Sequence, residues 1–454
     1  MTTRPKLSWS DLDGTRVGVW GLGVEGSATV RRLVAMGLDP VLVDDSPPPE
    51  GGPDGRRVLA VAEGGLEALR DCEVVVKSPG VSRRRPDVEE LVNTGVAVVG
   101  GLGLWMEETD RDRVVCITGT KGKSTTASVA GHLLTGLGYR CLVAGNIGLP
   151  PYDPDAPHDV DFWVVEVSSF QATDLASAPP VVAVTSLGAD HLDWHGDTEA
   201  YVTDKLSLCT LPRGRLTVAD GDSPLLRERR DQLGPDVRWV TAHDPALDGP
   251  WVDGLSLLGD HNRRNALIAR ACLAALGVAA AAEEPDGDPG ALAAAAIGYP
   301  GLESRLRPVA EIDGVAFVDD SLSTNVLPTL AALDAFADRR VALLVGGFDR
   351  GIDYRPLAEA LARRSAPTKV FTLPDNGPRI RQDLDAVLGD GQASQTVDVA
   401  DGVDLDSATA AGFKWAEPDG VVLLSPAAPS FGRFRDYRHR AEAFAAAVAA
   451  LAAH

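Results

Sequence analysis

The sequence predicts an α/β protein of three domains. A Rossmann-like N-terminal domain is followed by a central P-loop ATPase-like parallel-sheet domain and a C-terminal Rossmann-like α/β domain. Three observations carry this reading. Residues 16–20, RVGVW, are an apolar run that enters the turn GLGVEGS and leaves as a helix-like stretch, ATVRRLVAMG. Residues 114–126, VVCITGTKGKSTT, repeat the order of strand, glycine turn and helix. Further apolar runs in the middle of the chain each meet a polar or Gly-containing segment at their C-terminal end, the edge of an open parallel sheet where ligands bind. A length of 454 residues suits two to four domains at ~100–200 residues each.

In the first domain, residues 1–110, the helix-like stretch leads into a second strand, PVLVDD, which completes a β-α-β unit. EVVVK at 73–77 is a further strand ending in SPGVS, and VAVVG at 96–100 is another. The second domain, residues 111–302, opens with VVCITGT and continues through the strands RCLVAG, DFWVVEV and VVAVTSL. Its Ala-rich tract at 277–297 reads as helix, acidic loop, helix, and GYPGL at 298–302 closes it. The third domain, residues 303–454, has strands at VAFVDD, VALLVGG, KVFTL and VVLLSPA, with helices between them. The final stretch, HRAEAFAAAVAALAA, reads as a packing helix. There is no repeat of fixed period and no coiled coil.

Composition narrows the function classes. The net charge of −22 argues against a nucleic-acid partner, because a phosphate backbone demands a basic surface. It leaves room for phosphorylated small molecules, which need only a local pocket of amides and a few cations. No apolar run reaches the ~18–20 residues that span a bilayer. The start, MTTRPKLSWSDLDG, lacks an apolar signal core, so no membrane insertion and a cytoplasmic location are expected. Five scattered cysteines without a CxxC spacing read as reduced small hydrophobes.

GLGVEG is Gly21-x-Gly23-x-x-Gly26 between a strand and a helix, with Asp44 and Asp45 after the next strand. That spacing fits three things: a dinucleotide site in an NAD-dependent oxidoreductase, a nucleotide-sugar diphosphate site, or a plain structural turn. The loop T-G-T-K-G-K-S at 118–124 is more specific. Gly119 and Gly122 permit a tight turn whose amides face phosphate, Lys123 brings a cation to the β- and γ-phosphates, and Ser124 offers a hydroxyl to Mg²⁺. The loop is irregular, because Ile117 stands where a standard P-loop needs glycine. Glu166 ends a buried strand, where a carboxylate is costly without a cation or metal. With His191 and Lys205 it forms a set suited to Mg²⁺ on ATP phosphates. His195 reads as a loop residue.

Taken together, T-G-T-x-G-K-S, E-V-S-S-F-Q, D-H-L-D-x-H-G with a downstream lysine, G-D-H-N-x-x-N-A, D-D-S-x-x-T-N and L-L-S-P-A-x-x-S-F resemble the Mur ligases. The nearest pattern is the branch that adds glutamate to UDP-N-acetylmuramoyl-L-alanine. The likeness covers nearly the whole chain in the family's order. It implies an ATP-dependent amide-bond ligase of peptidoglycan precursor synthesis, working as a monomer with two Mg²⁺ ions through an acyl phosphate. It implies that Gly119, Thr120, Gly122, Lys123, Ser124 and Thr125 hold ATP phosphate, with Lys123, Glu166, His191 and Lys205 as the catalytic set. Ser124, Glu166, His191 and a carbamylated Lys205 would hold the metal. Asn262 and Asn265 match positions that face adenine, and Arg305 and Asp320 match contacts to phosphate and ribose. Gly21, Gly23, Asp44, Asp45, Ser78, Pro79 and Gly80 would bind the uracil-diphosphate end, and Asn146, Ser168 and Gln171 the substrate channel. Thr324, Arg350, Ser430, Phe431 and Tyr437 would surround glutamate.

The chain departs from the usual glutamate-adding pattern at four places. Leu322 replaces a lysine in D-S-K-A-T-N, Arg350 replaces a lysine in G-G-x-D-K-G, Lys121 replaces an asparagine, and Ser304 replaces a histidine before Arg305. The Leu322 and Arg350 changes fall at the amino-acid pocket, and an arginine binds carboxylate as a planar fork instead of a point charge. They favour L-glutamate over D-glutamate. A folylpolyglutamate-type enzyme is disfavoured by the GxGxxG domain and the L-L-S-P-A-x-x-S-F ending. A non-catalytic nucleotide-binding regulator would not need all of Lys123, Glu166, His191 and Lys205.

Overall fold

The structure, a computed structural model, describes residues 4–49, 51–188, 192–283, 286–389, 396–402 and 404–452. The chain forms two compact units, Met1–Leu255 with Arg264–Tyr299, and Ser256–Arg263 with Pro300–His454. The first unit carries two parallel sheets. One contains β1 (Val17–Trp20), β2 (Val41–Asp44), β3 (Val58–Ala60), β4 (Val74–Lys77) and β5 (Ala97–Val99), in the order β3-β2-β1-β4-β5. The other contains β6 (Val114–Thr118), β7 (Cys141–Gly145), β8 (Phe162–Glu166), β9 (Val181–Val184), β10 (Leu216–Asp220) and β11 (Asp236–Val240), in the order β11-β10-β9-β6-β8-β7.

The second sheet sets up the site. β6 lies between β8 and β9, with Ile117 opposite Glu166 and Thr118 opposite Val184. Three strand ends therefore meet at the point where successive strands depart in opposite directions, the crevice at which open α/β sheets bind ligands. Every residue of β6 is buried. Each fully buried aliphatic side chain there contributes roughly 1.5–3 kcal/mol. The two sheets of this unit share one apolar core that joins Val19, Leu33 and Trp105 to Cys116, Val165 and Leu206.

The second unit holds β12 (Arg307–Ile312), β13 (Val315–Asp319), β14 (Val341–Val345), β15 (Thr368–Thr372), β16 (Val397–Asp401) and β17 (Val421–Leu424), in the order β12-β13-β17-β14-β15-β16. β12 alone runs antiparallel, against β13. The sheet is covered on both faces. Leu343 and Val345 pack to one core, Ala342 and Leu344 to the other. This double burial explains the near-continuous apolar reading of its central strands.

Five strands lie outside the sequence expectation: β3, β10, β11, β12 and β16. Four of them, β3, β11, β12 and β16, are sheet edges. β11 and β12, read DVRWV and RPVAEI, carry the charges and proline that blunt pairing at an edge, so no apolar run marks them; β3, Val58–Ala60, is apolar but only three residues long. The Ala-rich tract also differs from expectation. Its first piece is only a 3-10 turn, Ala279–Ala281, and its second is the helix Pro289–Ala296. Ser256–Arg263 belongs to the second unit, although the sequence places it in the central domain. All five cysteines are free, and burial pushes the Cys141 and Cys209 thiols up to about 12. Among the described residues no helix is long and apolar enough to cross a membrane.

The glycine turn after β1 is built on close approach. A Cβ on Gly26 would lie 1.8 Å from the Gly21 carbonyl oxygen and 2.8 Å from Ser78 Oγ. Neither the turn nor the helix Val24–Ala35 can yield without moving backbone. Gly26→Ala is expected to destabilise the protein by on the order of 2–3 kcal/mol, read as a fall in the midpoint of thermal unfolding. An unchanged midpoint would show that the turn is plastic.

Candidate active site

β6 ends at Thr118 and the helix Lys123–Gly136 begins after a loop of four residues. Ile117 is still paired in the sheet, opposite Glu166, so the loop starts later than a standard P-loop and needs no glycine at 117. Gly119 sits at φ +136° and Gly122 at φ +89°, both left-handed. A Cβ on Gly119 would meet Thr185 Oγ1 at 2.3 Å, and one on Gly122 would meet Asn265 Oδ1 at 2.5 Å. The helix N-terminus after Gly122 presents backbone amides, a ready anion site. Lys123 Nζ folds back and donates to the Gly119 and Thr120 carbonyls at 2.9 and 3.2 Å. Thr120 Oγ1 meets Tyr201 Oη at 2.9 Å and accepts from Gly188 N at 3.0 Å. Thr125 is buried behind the loop.

Glu166 is 1% exposed. Ser124 Oγ donates to its Oε2 at 2.7 Å and Asn146 Nδ2 to its Oε1 at 2.8 Å. Both donors are neutral, so a buried carboxylate stands beside the phosphate loop with no cationic side chain paired to it among the described residues. Lys205 lies on the helix Thr198–Thr210, is 2% exposed, and donates from Nζ to the Gly119 carbonyl at 3.0 Å. Its ammonium also sits 4.9 Å from the centre of the Tyr201 ring. The structure thus brings Lys123, Ser124, Glu166 and Lys205 to one loop. His191 lies outside the described residues.

His195 is not a loop residue. It ends the helical turn Leu192–His195 and is 3% exposed. Its Nε2 meets Ser169 Oγ at 2.9 Å and its Nδ1 meets Asp204 Oδ2 at 2.8 Å. Burial lowers its pKa, against the pull of Asp204. The ring contacts around it come from Phe170, Trp194 and Tyr201.

A cavity of about 510 Å³ opens over the first sheet, lined by Gly21, Gly23, Asp44, Asp45, Ser78, Pro79, Gly80 and Asn146 among others. Asp44 serves the turn, accepting from Leu22 N at 2.7 Å and Ser46 N at 2.9 Å. Ser78 Oγ donates to the Gly21 carbonyl at 2.6 Å. Ser168 and Gln171 lie outside the lining. They form a reciprocal cap on the helix Ser169–Ala172, and Gln171 Nε2 donates to Glu25 Oε1 at 2.6 Å. Glu25 does line the cavity, and burial raises its carboxyl to about 7. Only the x positions of GxGxxG carry it, so the sequence gives no signal for it.

In the second unit, Asp320 accepts from Leu306 N at 3.2 Å and Ser425 Oγ at 2.7 Å. Burial raises its carboxyl to about 6, with Arg305 pulling the other way. Asn262 donates to the Leu258 carbonyl at 2.9 Å. The glycine loop at 346–350 packs on the loop at 426–431, with Phe348 N donating to the Pro429 carbonyl at 2.9 Å. There Arg350 stands 5.6 Å from the Phe431 ring centre, and Ser430 is buried while Thr324 is exposed. Tyr437 opens the last helix, Tyr437–Ala452. Arg440, one turn on, is 1% exposed. Its Nη2 donates to the Ser321 and Ala428 carbonyls at 2.7 and 3.1 Å, while Nε and Nη1 have no hydrogen-bond partner among the described residues. The sequence reading missed Arg440, which sits in a helix with no motif around it.

Comparison with known proteins bears directly on this arrangement. Residues 117–247 match the Mur ligase middle domain, and residues 15–100 match the Mur ligase MurD-like N-terminal domain. A UDP-N-acetylmuramoyl-L-alanine–L-glutamate ligase from Micromonospora sp. is 42% identical over 98% of this chain and 99% of its own. The chain belongs to the Mur ligase family. A second Mur ligase of the same description, from Salinispora tropica, is 40% identical over 97% of this chain and 98% of its own. The fold also resembles the crystal structure of UDP-N-acetylmuramate-alanine ligase MurC from Thermotoga maritima. That match has a TM-score of 0.52 at 17% identity and covers 96% of this chain and 99% of that one. As a Mur ligase the protein is an ATP-dependent ligase, and the redox reading of GxGxxG is set aside.

Proposed function

We propose that this Mur ligase joins L-glutamate to UDP-N-acetylmuramoyl-L-alanine. The observation that carries the ligase chemistry is the meeting of the phosphate loop, the Glu166 carboxylate and Lys205 at the ends of β6 and β8. Residues 1–110 would bind the UDP substrate, 111–302 ATP and 303–454 glutamate. The substrate carboxylate attacks the γ-phosphorus of ATP, ADP leaves, and an acyl phosphate forms. The amino group of glutamate then attacks the acyl carbon, phosphate leaves, and the amine loses a proton. Lys123 and the loop amides stabilise charge on the transferring phosphoryl group.

The buried Glu166 carboxylate, held among the described residues only by neutral donors, fits a divalent cation. Ser124, Glu166, His191 and Lys205 would hold two Mg²⁺ ions, which supply positive charge to the phosphates when bound. Lys205 qualifies as a ligand only if carbamylated, because an ammonium cannot coordinate Mg²⁺.

The handedness of the amino acid rests on the second unit. Leu322 removes one cation of the usual pocket and Arg350 reshapes another, while Arg440 holds two donors that are unpaired among the described residues, beside the loop of Ser430. The relatives named above are described as L-glutamate ligases. Phosphate release would be measured with ATP, Mg²⁺ and UDP-N-acetylmuramoyl-L-alanine, offering L- and D-glutamate in separate reactions. L-glutamate is expected to win in kcat/KM by at least ~10²-fold, since a misdirected carboxylate leaves buried donors unpaired. Turnover with D-glutamate alone would overturn the assignment of handedness. Turnover with neither would overturn the substrate assignment.

A further inference from the structure

The turn Ser78-Pro79-Gly80 is followed by Arg83, Arg84 and Arg85. In sequence they look like a solvated charge run. In the structure each arginine takes a different carboxylate. Arg83 Nε donates to Asp174 at 2.6 Å, and Arg85 pairs with Asp45 and Asp87. Arg84 crosses from the first sheet to the second and grips Asp204 with two parallel bonds, at 2.7 and 2.8 Å. Asp204 immediately precedes Lys205.

Asp204 is the middle of a longer chain of contacts. Its Oδ2 also meets His195 Nδ1 at 2.8 Å, and His195 Nε2 meets Ser169 Oγ at 2.9 Å. A second link runs beside it, in which Trp194 Nε1 donates to the Gly80 carbonyl at 3.1 Å. Trp194 packs on His195 and Phe170, and His195 packs on Tyr201. Tyr201 in turn touches both Lys205 and Thr120 of the phosphate loop. Ser169, His195 and Asp204 have the order of a hydrolytic triad, but Ser169 is 2% exposed and begins a helix, so no substrate reaches its hydroxyl. The row acts on geometry, and a bidentate arginine fixes direction as well as distance.

We propose that Arg84, Asp204 and His195 are positioning residues. They connect occupancy of the cavity at Ser78–Gly80 to the placement of Lys205 and Thr120, so that the enzyme is set for ATP chemistry once the UDP substrate is seated. This rests on the ligase reading above. Binding that orders the Gly80 turn also orders Arg84 and Trp194, and through them the helix that carries Lys205. The device is distinct from the contacts that hold the substrate, because Arg84, Asp204 and His195 are not part of the cavity lining.

Hydrogen exchange of the full chain tests this, with and without UDP-N-acetylmuramoyl-L-alanine and in the absence of ATP. In the wild type the ligand is expected to slow exchange of amides in 198–210 by at least ~10-fold. In Arg84→Met, which keeps the stem and loses the fork, that protection should vanish while calorimetric affinity for the ligand changes less than about threefold. The same variant should lose kcat by ~10-fold or more with KM for ATP unchanged. His195→Asn, which can still donate to Asp204, should retain more activity than His195→Ala. Undiminished protection and wild-type kcat in Arg84→Met would overturn the proposal. Arg84 is half exposed at the side chain, so that variant is expected to fold, and its unfolding midpoint checks this. Absence of ligand binding to the wild type would instead refute the substrate reading, and the inference with it.

Discussion

Lys205→Ala is expected to abolish turnover, with kcat down by on the order of 10³-fold or more. Lys205 is almost fully buried against the phosphate loop, with Nζ on the Gly119 carbonyl at 3.0 Å. It is fourteen residues past His191 in sequence, yet it reaches the same loop as Lys123. Two effects separate in this variant. Loss of this charged hydrogen bond, on a carbonyl that still accepts from Lys123 Nζ, costs at most roughly 1.5–3 kcal/mol of stability. Loss of the group at the reacting phosphates removes the much larger catalytic term. Steady-state phosphate release gives kcat, and thermal unfolding gives the first effect separately. A folded Lys205→Ala protein with wild-type turnover would remove Lys205 from the active site, and with it the proposal that Lys205 is a carbamylated metal ligand.

Glu166→Gln should show opposite signs in stability and activity. The carboxylate is buried, and its two partners, Ser124 and Asn146, are neutral donors. A glutamine can replace both contacts, accepting from Asn146 and donating to Ser124, whose hydroxyl can turn. Removing a buried charge that has no cationic partner among the described residues is then neutral or stabilising. The unfolding midpoint without nucleotide is expected to stay equal or rise. With Mg²⁺ and ATP the wild type should gain stability by mass action, and Glu166→Gln should gain far less. Its kcat should fall by ~10²–10³-fold. A variant that loses stability in the nucleotide-free state and keeps its Mg²⁺·ATP response would identify Glu166 as a structural carboxylate.

Much of the site was legible because the chemistry constrains local sequence. A phosphate loop needs glycines at left-handed positions, and Gly119 and Gly122 occupy them. The third glycine of GxGxxG is required by a carbonyl 1.8 Å from where its Cβ would lie. Contacts between distant segments left no such trace. Arg84 belongs to no motif of the sequence, and His195 reads as a loop residue. Gln171 reads as a channel residue, and its amide contacts Ser168 N and Glu25, which lines the cavity. Arg440 lies in an Ala-rich stretch that reads only as a packing helix, yet it is among the largest fully buried side chains of the described residues.

By itself the sequence determined the α/β class, the buried central strands, the phosphate loop and the family. Each of these depends on residue type at short spacing: an apolar run for a strand covered on both faces, a glycine for a positive φ, a lysine one residue past the turn. The edge strands, the burial of His195 and the pairing of Arg84 with Asp204 were decided only by the tertiary structure. Edge strands are half solvated, so their composition resembles that of loops. A charged side chain shows its partner only when strands far apart in sequence bring the two together, as β4 and β9 bring the segments after them. The same 120 residues of separation between Arg84 and Asp204 that hide the pair in the sequence place one end at the substrate cavity and the other beside Lys205.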